Sequence, residues 1–191
     1  MASELTENET FTKIAPETIT GHKRVFVHCR FISSDLSYAN LSGLTFVDCF
    51  FDECNLSLIT LSGTGLQDVQ FKNCKLTGAD FSKSNDFLFE ASFGNCMLDN
   101  AIFYKKKNKG AKFTDCSLIE TDFTEADLTD VRFNNCNLHR AFFNQTILKN
   151  ADFRTSYNFT IDPDSNTLKK AKFSVQGLPG LLAKYDICME G

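Results

Sequence analysis

The stretch FVHCR FISSD LSYAN LSGLT FVDCF F covers residues 26–51 and places Phe or Leu at every fifth position. An α-helix repeats its buried face every 3.6 residues and a β-strand every 2, so neither explains a strict period of five. The period continues without exception to Phe81, resumes after a shift of two residues at Leu88, and recurs as far as Phe173. A repeat this short requires a geometry of its own.

A small residue lies two positions before most of the large ones, as Ala39 does before Leu41 and Cys49 before Phe51. In an extended segment, side chains two residues apart point to the same side, so each pair of inward residues indicates one short extended step followed by a turn. Four such steps close a square coil of twenty residues, and chemical identity follows that period: Phe93, Phe113, Phe133, Phe153 and Phe173 form one file. The sequence therefore predicts a solenoid whose coils bury their apolar interiors against one another.

Steps such as residues 39–43 (ANLSG) and residues 79–83 (ADFSK) contain a small residue, a polar residue, Leu or Phe, and two further residues. This pattern resembles the pentapeptide repeat family. The resemblance covers about four fifths of the chain and implies an all-β fold, a right-handed quadrilateral parallel β-helix. It implies much less about activity, because a fold alone does not determine function.

The repeats indicate a single domain with three parts. Residues 1–23 are expected to form an N-terminal segment or cap, residues 24–175 the β-helix, and residues 176–191 a C-terminal tail with a short helix. The slip of phase near residues 82–87 is expected to bulge. The inward positions near residue 106 hold Lys106 and Asn108, which are costly to bury without partners, so that coil is expected to deviate.

The overall plan is similar to that of Qnr-type proteins, which protect DNA gyrase and topoisomerase IV from quinolones and are thought to imitate duplex DNA. The chain length, the two arrays joined by a short irregularity and the apolar C-terminal tail carry this similarity. The similarity implies a protein partner, a type II topoisomerase, and a homodimer formed through the tail. The alternative for the tail is a cap on the last coil of a monomer. The residues for either role are Leu178, Leu181, Leu182, Tyr185, Ile187 and Met189.

The net charge of −4, from 24 acidic and 20 basic residues, hides two acidic runs. The first acidic zone, within residues 31–71, comprises Asp35, Asp48, Asp52, Glu53 and Asp68. The second acidic zone, within residues 113–131, comprises Asp115, Glu120, Asp122, Glu125, Asp127 and Asp130. Both are candidate contact surfaces for a partner. The alternative is neutralisation between coils, with Lys105 beside Glu125 and Lys107 beside Asp127.

The eight cysteines predict neither a cofactor nor a metal site, because no C-x-x-C pair occurs and the three histidines are scattered. Seven of them occupy the small inward position, where a free cysteine behaves as a small apolar residue: Cys29, Cys49, Cys54, Cys74, Cys96, Cys116 and Cys136. Stacked cysteines are also close enough for disulfides, so distance leaves that alternative open. The polar N-terminus and the absence of a membrane-spanning stretch predict a cytoplasmic protein without membrane contact.

An enzyme is the class that the pattern disfavours most, because the inward positions are spent on Phe, Leu, Ala and Cys. The isolated G-x-G at residues 63–65 is too short to indicate a phosphate-binding loop. Direct nucleic-acid binding is disfavoured, because the protein is acidic and the lysine cluster at residues 105–112 is short. Two hypotheses remain, a DNA mimic that binds a type II topoisomerase and a structural module whose flat β faces bind an unrelated protein.

Overall fold

The structure is a computed structural model that describes residues 4–19 and 24–188. Its repeating unit is a short extended step with two inward side chains: Cys49 and Phe51 are both buried, whereas Phe50 between them is half-exposed. Each step ends at a corner residue with a left-handed backbone, such as Asp48 with φ 51° and Glu53 with φ 54°. Gly, Asn and Asp tolerate this conformation best, which explains why polar residues recur at the corners.

The strands are β1 (Glu4–Glu7), β2 (Thr10–Thr12), β3 (Arg24–Val27), β4 (Arg30–Ile32), β5 (Thr45–Val47), β6 (Phe50–Asp52), β7 (Gly65–Lys72), β8 (Phe89–Gly94), β9 (Lys112–Thr114) and β10 (Arg132–Asn134). The 3-10 helices are Pro16–Thr18, Phe81–Lys83, Asp86–Leu88, Val175–Gly177 and Ala183–Tyr185, and the α-helix α1 is Pro179–Leu182. Isolated parallel bridges continue the stacking where the steps are too short to count as strands, for example between Asp122 and Phe142.

The strands pair in parallel with a register of twenty residues, so that β4, β6 and β7 bring Phe31, Phe51 and Phe71 together. The centroids of these rings are 4.5 Å and 5.1 Å apart in near-parallel stacks. A second file, which includes Phe26 and Phe46, meets the first edge-on and fills the interior. The predicted all-β quadrilateral parallel β-helix with a short C-terminal helix is confirmed.

Stacking begins before residue 24, where the sequence predicts the β-helix to start. Strand β1 pairs with β3 and strand β2 with β4, and the ring of Phe11 stacks on that of Phe31 at 5.0 Å. The segment before residue 24 therefore includes an additional coil. The period hides this coil because Thr6 and Pro16 occupy two of its large inward positions.

The slip near residues 82–87 is a bulge, as expected, but its inward residue differs from the predicted one. The register between β7 and β8 changes from Leu66 opposite Phe89 to Val69 opposite Ala91. Phe89 is therefore buried where the period predicts Leu88, which is only half-buried. The two 3-10 turns between Phe81 and Leu88 absorb the extra residues and displace the chain outward before it re-enters the core.

Candidate protein-interaction surfaces

The interior of the solenoid is packed with side chains. The seven cysteines of the small inward positions are free and buried, and Cys188 is free and exposed. Burial raises the pKa of the Cys49 thiol to about 11, which keeps it protonated and unreactive at neutral pH. The Cys116 thiol donates to the carbonyl oxygen of Thr114 at 3.3 Å. These contacts support the packing interpretation of the cysteines.

Open space lies on the outside of the coils. A surface cleft of about 660 Å³ runs beside His139, Arg140 and Phe142. Within residues 4–19 and 24–188, no group of three or more His, Cys, Asp or Glu side chains is arranged to hold a metal ion. Because the interior is filled with buried side chains, a partner meets the outward-facing ones, and the charged ones are the candidates that the sequence singles out.

Most acids of both zones have a local structural role. Seven of the eleven are corner residues with a left-handed backbone: Asp48, Glu53, Asp68, Asp115, Glu120, Glu125 and Asp130. Three others accept a hydrogen bond from the backbone N–H two residues later: Asp35 from Ser37, Asp122 from Thr124 and Asp127 from Thr129. Such turn chemistry explains why acids occur at these positions. Whether their charge remains available depends on their neighbours in adjacent coils.

The first acidic zone keeps its charge exposed. Asp35, Asp48, Glu53 and Asp68 are exposed, and only Asp52 is half-buried. Within the described part of the chain, no Lys or Arg nitrogen lies within 4.0 Å of these five carboxylates; the partners are neutral or, for Asp48, the His28 ring at 3.7 Å. Ser33 donates to Glu53 at 2.7 Å, and Asn73 donates to Asp52 at 2.8 Å.

Three acids line one corner in successive coils. The backbone N–H of Asp48 donates to the carbonyl oxygen of Gln67, which places Asp48 beside Asp68. The register between β7 and β8 places Glu90 opposite Gln67 and Asp68 in the next coil. Neighbouring coils are about 4.8 Å apart. That spacing is of the same order as the one charge per about 3.4 Å along a single DNA strand. The acidic corner is defined by Asp48, Asp68 and Glu90.

The second acidic zone is distributed around the coil, and several of its charges are matched. Arg140 pairs with Glu120 at 3.3 Å, Lys105 with Glu125 at 3.4 Å and Lys109 with Asp127 at 3.0 Å. The predicted stacking of Lys105 beside Glu125 is confirmed, and Lys107 bridges in register to Asp127. Two further acids of this zone accept hydrogen bonds from neutral amides: Asn135 donates to Asp115 at 2.7 Å, and Asn150 donates to Asp130 at 2.8 Å.

Burial and hydrogen bonding distinguish the second zone further. Only Asp115 and Asp130 are exposed in it; the other four acids are half-buried. Burial by itself raises the pKa of Asp127, but hydrogen bonds from Thr129 and Lys109 outweigh that effect and hold the pKa below its usual value. The carboxylate is therefore charged and already engaged. The second zone stabilises the stack of coils and offers less free negative charge than the first.

The two inward polar residues are buried with partners, a detail that the period does not reveal. The Lys106 side chain is 1% exposed, and its Nζ donates to the Ser84 carbonyl and to Asp86 Oδ1, each at 2.7 Å. Asn108 donates to the Ala91 carbonyl at 3.1 Å and accepts from the Ala91 N–H at 3.3 Å. The bulge therefore supplies the partners of Lys106, and strand β8 supplies those of Asn108. The coil that the sequence predicts to deviate keeps the regular register, with Lys107 opposite Asp127. The sequence contains one signal for these contacts, which is that the phase slip near residues 82–87 is followed one coil later by two inward polar residues.

The C-terminal segment lies against the last coil. Leu181 packs on the core, and the Ile161 N–H donates to the Gly180 carbonyl at 3.0 Å. Lys184 pairs with Asp162 at 2.6 Å and also with Asp164. Of the residues predicted for a cap or a dimer, Leu182 is half-buried, Leu178, Tyr185 and Ile187 are exposed, and Met189 lies outside the described residues. The segment thus covers the coil while leaving apolar side chains on its outer side.

Most of the β-helix matches a known protein family. A family model described as a pentapeptide repeat region matches residues 25–86 and 87–157. No curated protein matches the chain. None of the helices within the described residues is long and apolar enough to cross a membrane.

Several solved structures share the repeat. The chain is similar to QnrB1, a plasmid-mediated fluoroquinolone resistance protein, with 18% identity, 98% of each chain covered and a TM-score of 0.48. It is similar to HetL from the cyanobacterium Nostoc, involved in heterocyst differentiation regulation, with 16% identity, 88% and 84% covered and a TM-score of 0.43. A pentapeptide repeat protein from the Arabidopsis thaliana thylakoid lumen is 28% identical, with 53% and 71% covered and a TM-score of 0.48. The family assignment rests on the match of the family model to residues 25–86 and 87–157.

Proposed function

Because the chain belongs to the pentapeptide repeat family, we propose that it is a non-enzymatic scaffold that binds a protein partner through the first acidic zone. One observation supports this above the others: four of that zone's five carboxylates are exposed, and Lys and Arg neutralise none of them within 4.0 Å among the described residues. Exposed charges on a rigid surface steer association and select partners of opposite charge.

The partner that we propose for this surface is a type II topoisomerase, whose DNA-binding surface is suited to a negatively charged rod. The acidic corner presents Asp48, Asp68 and Glu90 at a spacing comparable to that of DNA charges. A stiff stack of parallel coils holds these charges in place before binding, which reduces the entropy lost on association. Imitation of DNA is therefore the specific form of the proposal.

The alternative is a structural module that binds an unrelated protein, and the second acidic zone favours it. Its acids lie on different sides of the coil, and Glu120, Glu125 and Asp127 are paired with bases. The negative surface is therefore a short corner instead of a face that runs the length of the rod. A partner that recognises a local acidic corner would be sufficient to explain this arrangement.

Dimerisation through the C-terminal segment is a further part of the proposal. Val175, Leu178, Tyr185 and Ile187 are 44% to 78% exposed at one end of the rod. Exposed apolar side chains grouped in this way are typical of protein-protein contacts. A second copy of the chain that covers them would produce a longer rod with two acidic corners.

The test is DNA supercoiling by gyrase with purified full-length protein titrated in, with and without a quinolone. We expect protection or inhibition at low micromolar concentration, and at least a tenfold loss in the variant Asp48→Asn, Asp52→Asn, Glu53→Gln and Asp68→Asn. The matched control neutralises four acids of the second zone, Glu120, Asp122, Glu125 and Asp127, in the same way. If wild-type protein has no effect at high concentration, topoisomerase binding is refuted. If the control loses as much activity as the first variant, the assignment to the first zone is refuted.

A further inference from the structure

The bulge between Phe81 and Phe89 is anchored from inside the solenoid. Lys106 occupies a small inward position, where the next coil has Ala126, and its buried ammonium group reaches the Ser84 carbonyl and Asp86. The ammonium group also lies 4.9 Å from the centroid of the Phe89 ring. A buried cation destabilises the fold unless it is fully partnered, and the best-attested role of a buried ionic group is to specify one particular structure. Here the structure that it specifies is the path of the bulge.

Contacts on both sides of the bulge make its base rigid. The Asn85 N–H donates to the Thr64 carbonyl at 2.8 Å, and the Asn85 side chain accepts from the Phe87 N–H at 3.0 Å. Leu88 packs over Gly65, where an added Cβ would lie 3.1 Å from Leu88 Cδ1. The residues before and after Phe87 are therefore fixed by the neighbouring coil.

The tip of this rigid bulge is an exposed aromatic ring. Phe87 is 99% exposed, so its side chain makes almost no contact with its own chain. An aromatic ring held in place in advance of binding is the type of residue that dominates interface energies. We propose that Phe87 is a docking residue that inserts into an apolar cluster of a partner polypeptide, and that Lys106 is the positioning residue that holds it out.

The charges around the bulge indicate the chemistry of that partner. Lys83 belongs to the segment that leads to Phe87, and Lys107 follows Lys106 in the next coil. Both are exposed, and no carboxylate oxygen lies within 4.0 Å of either amine among the described residues. Asp86 is engaged by Lys106, and Glu90 lies beyond the inward-facing Phe89, beside Asp68. The amines of Lys83 and Lys107 are therefore free to pair with carboxylates of a partner. The partner segment that fits combines apolar residues with aspartate or glutamate.

The test uses random 16-residue peptides displayed on phage, selected on full-length protein with the Phe87→Ser variant as the counter-target. We expect enriched peptides that combine apolar and acidic residues. Their affinity, measured by fluorescence polarisation, should fall at least tenfold on Phe87→Ser, threefold or more on Lys83→Gln with Lys107→Gln, and at least threefold on Lys106→Met. Circular dichroism spectra should not change on Phe87→Ser, because the ring packs against nothing. Phe142→Ser, which removes another exposed phenylalanine, is the matched control and should not change the affinity.

Three outcomes would overturn the proposal. One is the recovery of no peptide that distinguishes wild-type protein from Phe87→Ser. Another is a selection dominated by basic peptides or by peptides without charge. The third is an affinity that Phe142→Ser lowers as much as Phe87→Ser does. Because no topoisomerase is present, failure here leaves the proposed function standing, and failure of the supercoiling assay leaves the docking residue standing.

Discussion

Asp86 is exposed, yet we expect its removal to destabilise the protein more than the removal of the buried Lys106 with which it pairs. The Asp86 side chain is 72% exposed and the Lys106 side chain 1% exposed, with 2.7 Å between Oδ1 and Nζ. In Asp86→Ala the ammonium group keeps only the Ser84 carbonyl and the Phe89 ring. Leaving a buried charge without its counterion costs roughly 3 to 5 kcal/mol, and we expect about 3 kcal/mol here because the carboxylate is partly screened by water.

The reverse substitution should be mild. Lys106→Met replaces the charge with an unbranched apolar side chain of similar length, and Asp86 is free to hydrate. The Ser84 carbonyl loses one donor, worth about 1 kcal/mol, which the burial of apolar surface offsets in part. The double variant should resemble Lys106→Met, so the coupling energy of the pair is expected to be about 3 kcal/mol in magnitude.

The assay is equilibrium urea unfolding followed by circular dichroism and by tyrosine fluorescence, because the chain contains no tryptophan. The two signals must coincide before free energies are compared, since a solenoid need not unfold in a single step. Glu90→Ala is the matched control for an exposed acid near the bulge and should lie within about 0.5 kcal/mol of wild type. An Asp86→Ala variant as stable as that control, or a double variant whose effects simply add, would refute the reasoning.

Three further expectations concern other parts of the molecule. In the native protein we expect only the exposed Cys188 to react with a thiol reagent, and the seven buried cysteines to react once the protein unfolds. Rapid labelling of native Cys188→Ser protein would contradict this expectation. A hydrogen bond from Arg154 holds the pKa of Asp152 below its usual value. The pair therefore stabilises the fold at pH values above the pKa of the unfolded state, and this stability is lost as the pH falls through the pKa of the folded state. NMR of the carboxyl group should show the pKa of Asp152 rising in Arg154→Ala, and an unchanged value would count against the pair. Gly180→Ala would place a Cβ 2.2 Å from the Phe159 carbonyl oxygen, so it should dislodge the C-terminal segment and destabilise the protein by about 1 to 3 kcal/mol. Proteolysis of that segment should become faster in Gly180→Ala and should keep its wild-type rate in the control Gln176→Ala.

The bulge shows where sequence reasoning stops being sufficient. The phase slip locates the irregularity, and the inward polar residues show that the next coil is unusual, but neither signal connects the two. Lys106 and Asp86 are twenty residues apart, and their contact depends on the path that the extra residues take around the corner. The same path determines that Phe89, and not Leu88, is buried.

The candidate surfaces divide in a similar way. The sequence identifies two acidic runs of comparable composition, and the structure separates them by exposure and by the bases of adjacent coils. Glu125 is matched by Lys105, whereas Asp68 has no Lys or Arg within 4.0 Å among the described residues. Glu90 joins the acidic corner because it lies opposite Gln67 and Asp68, where the pairing of β7 with β8 changes register. A count of charges along the chain contains none of this information.

The sequence by itself determined the period, the inward side chains of almost every coil and hence the fold. This was possible because each step directs its side chains by local backbone geometry, and the geometry repeats every five residues. Only the tertiary structure decided where stacking begins, which acids remain free and how the bulge holds Phe87 outward. Those features depend on contacts between residues about twenty positions apart in neighbouring coils. The period predicts that such residues lie side by side, but it does not predict whether their side chains form ion pairs or hydrogen bonds.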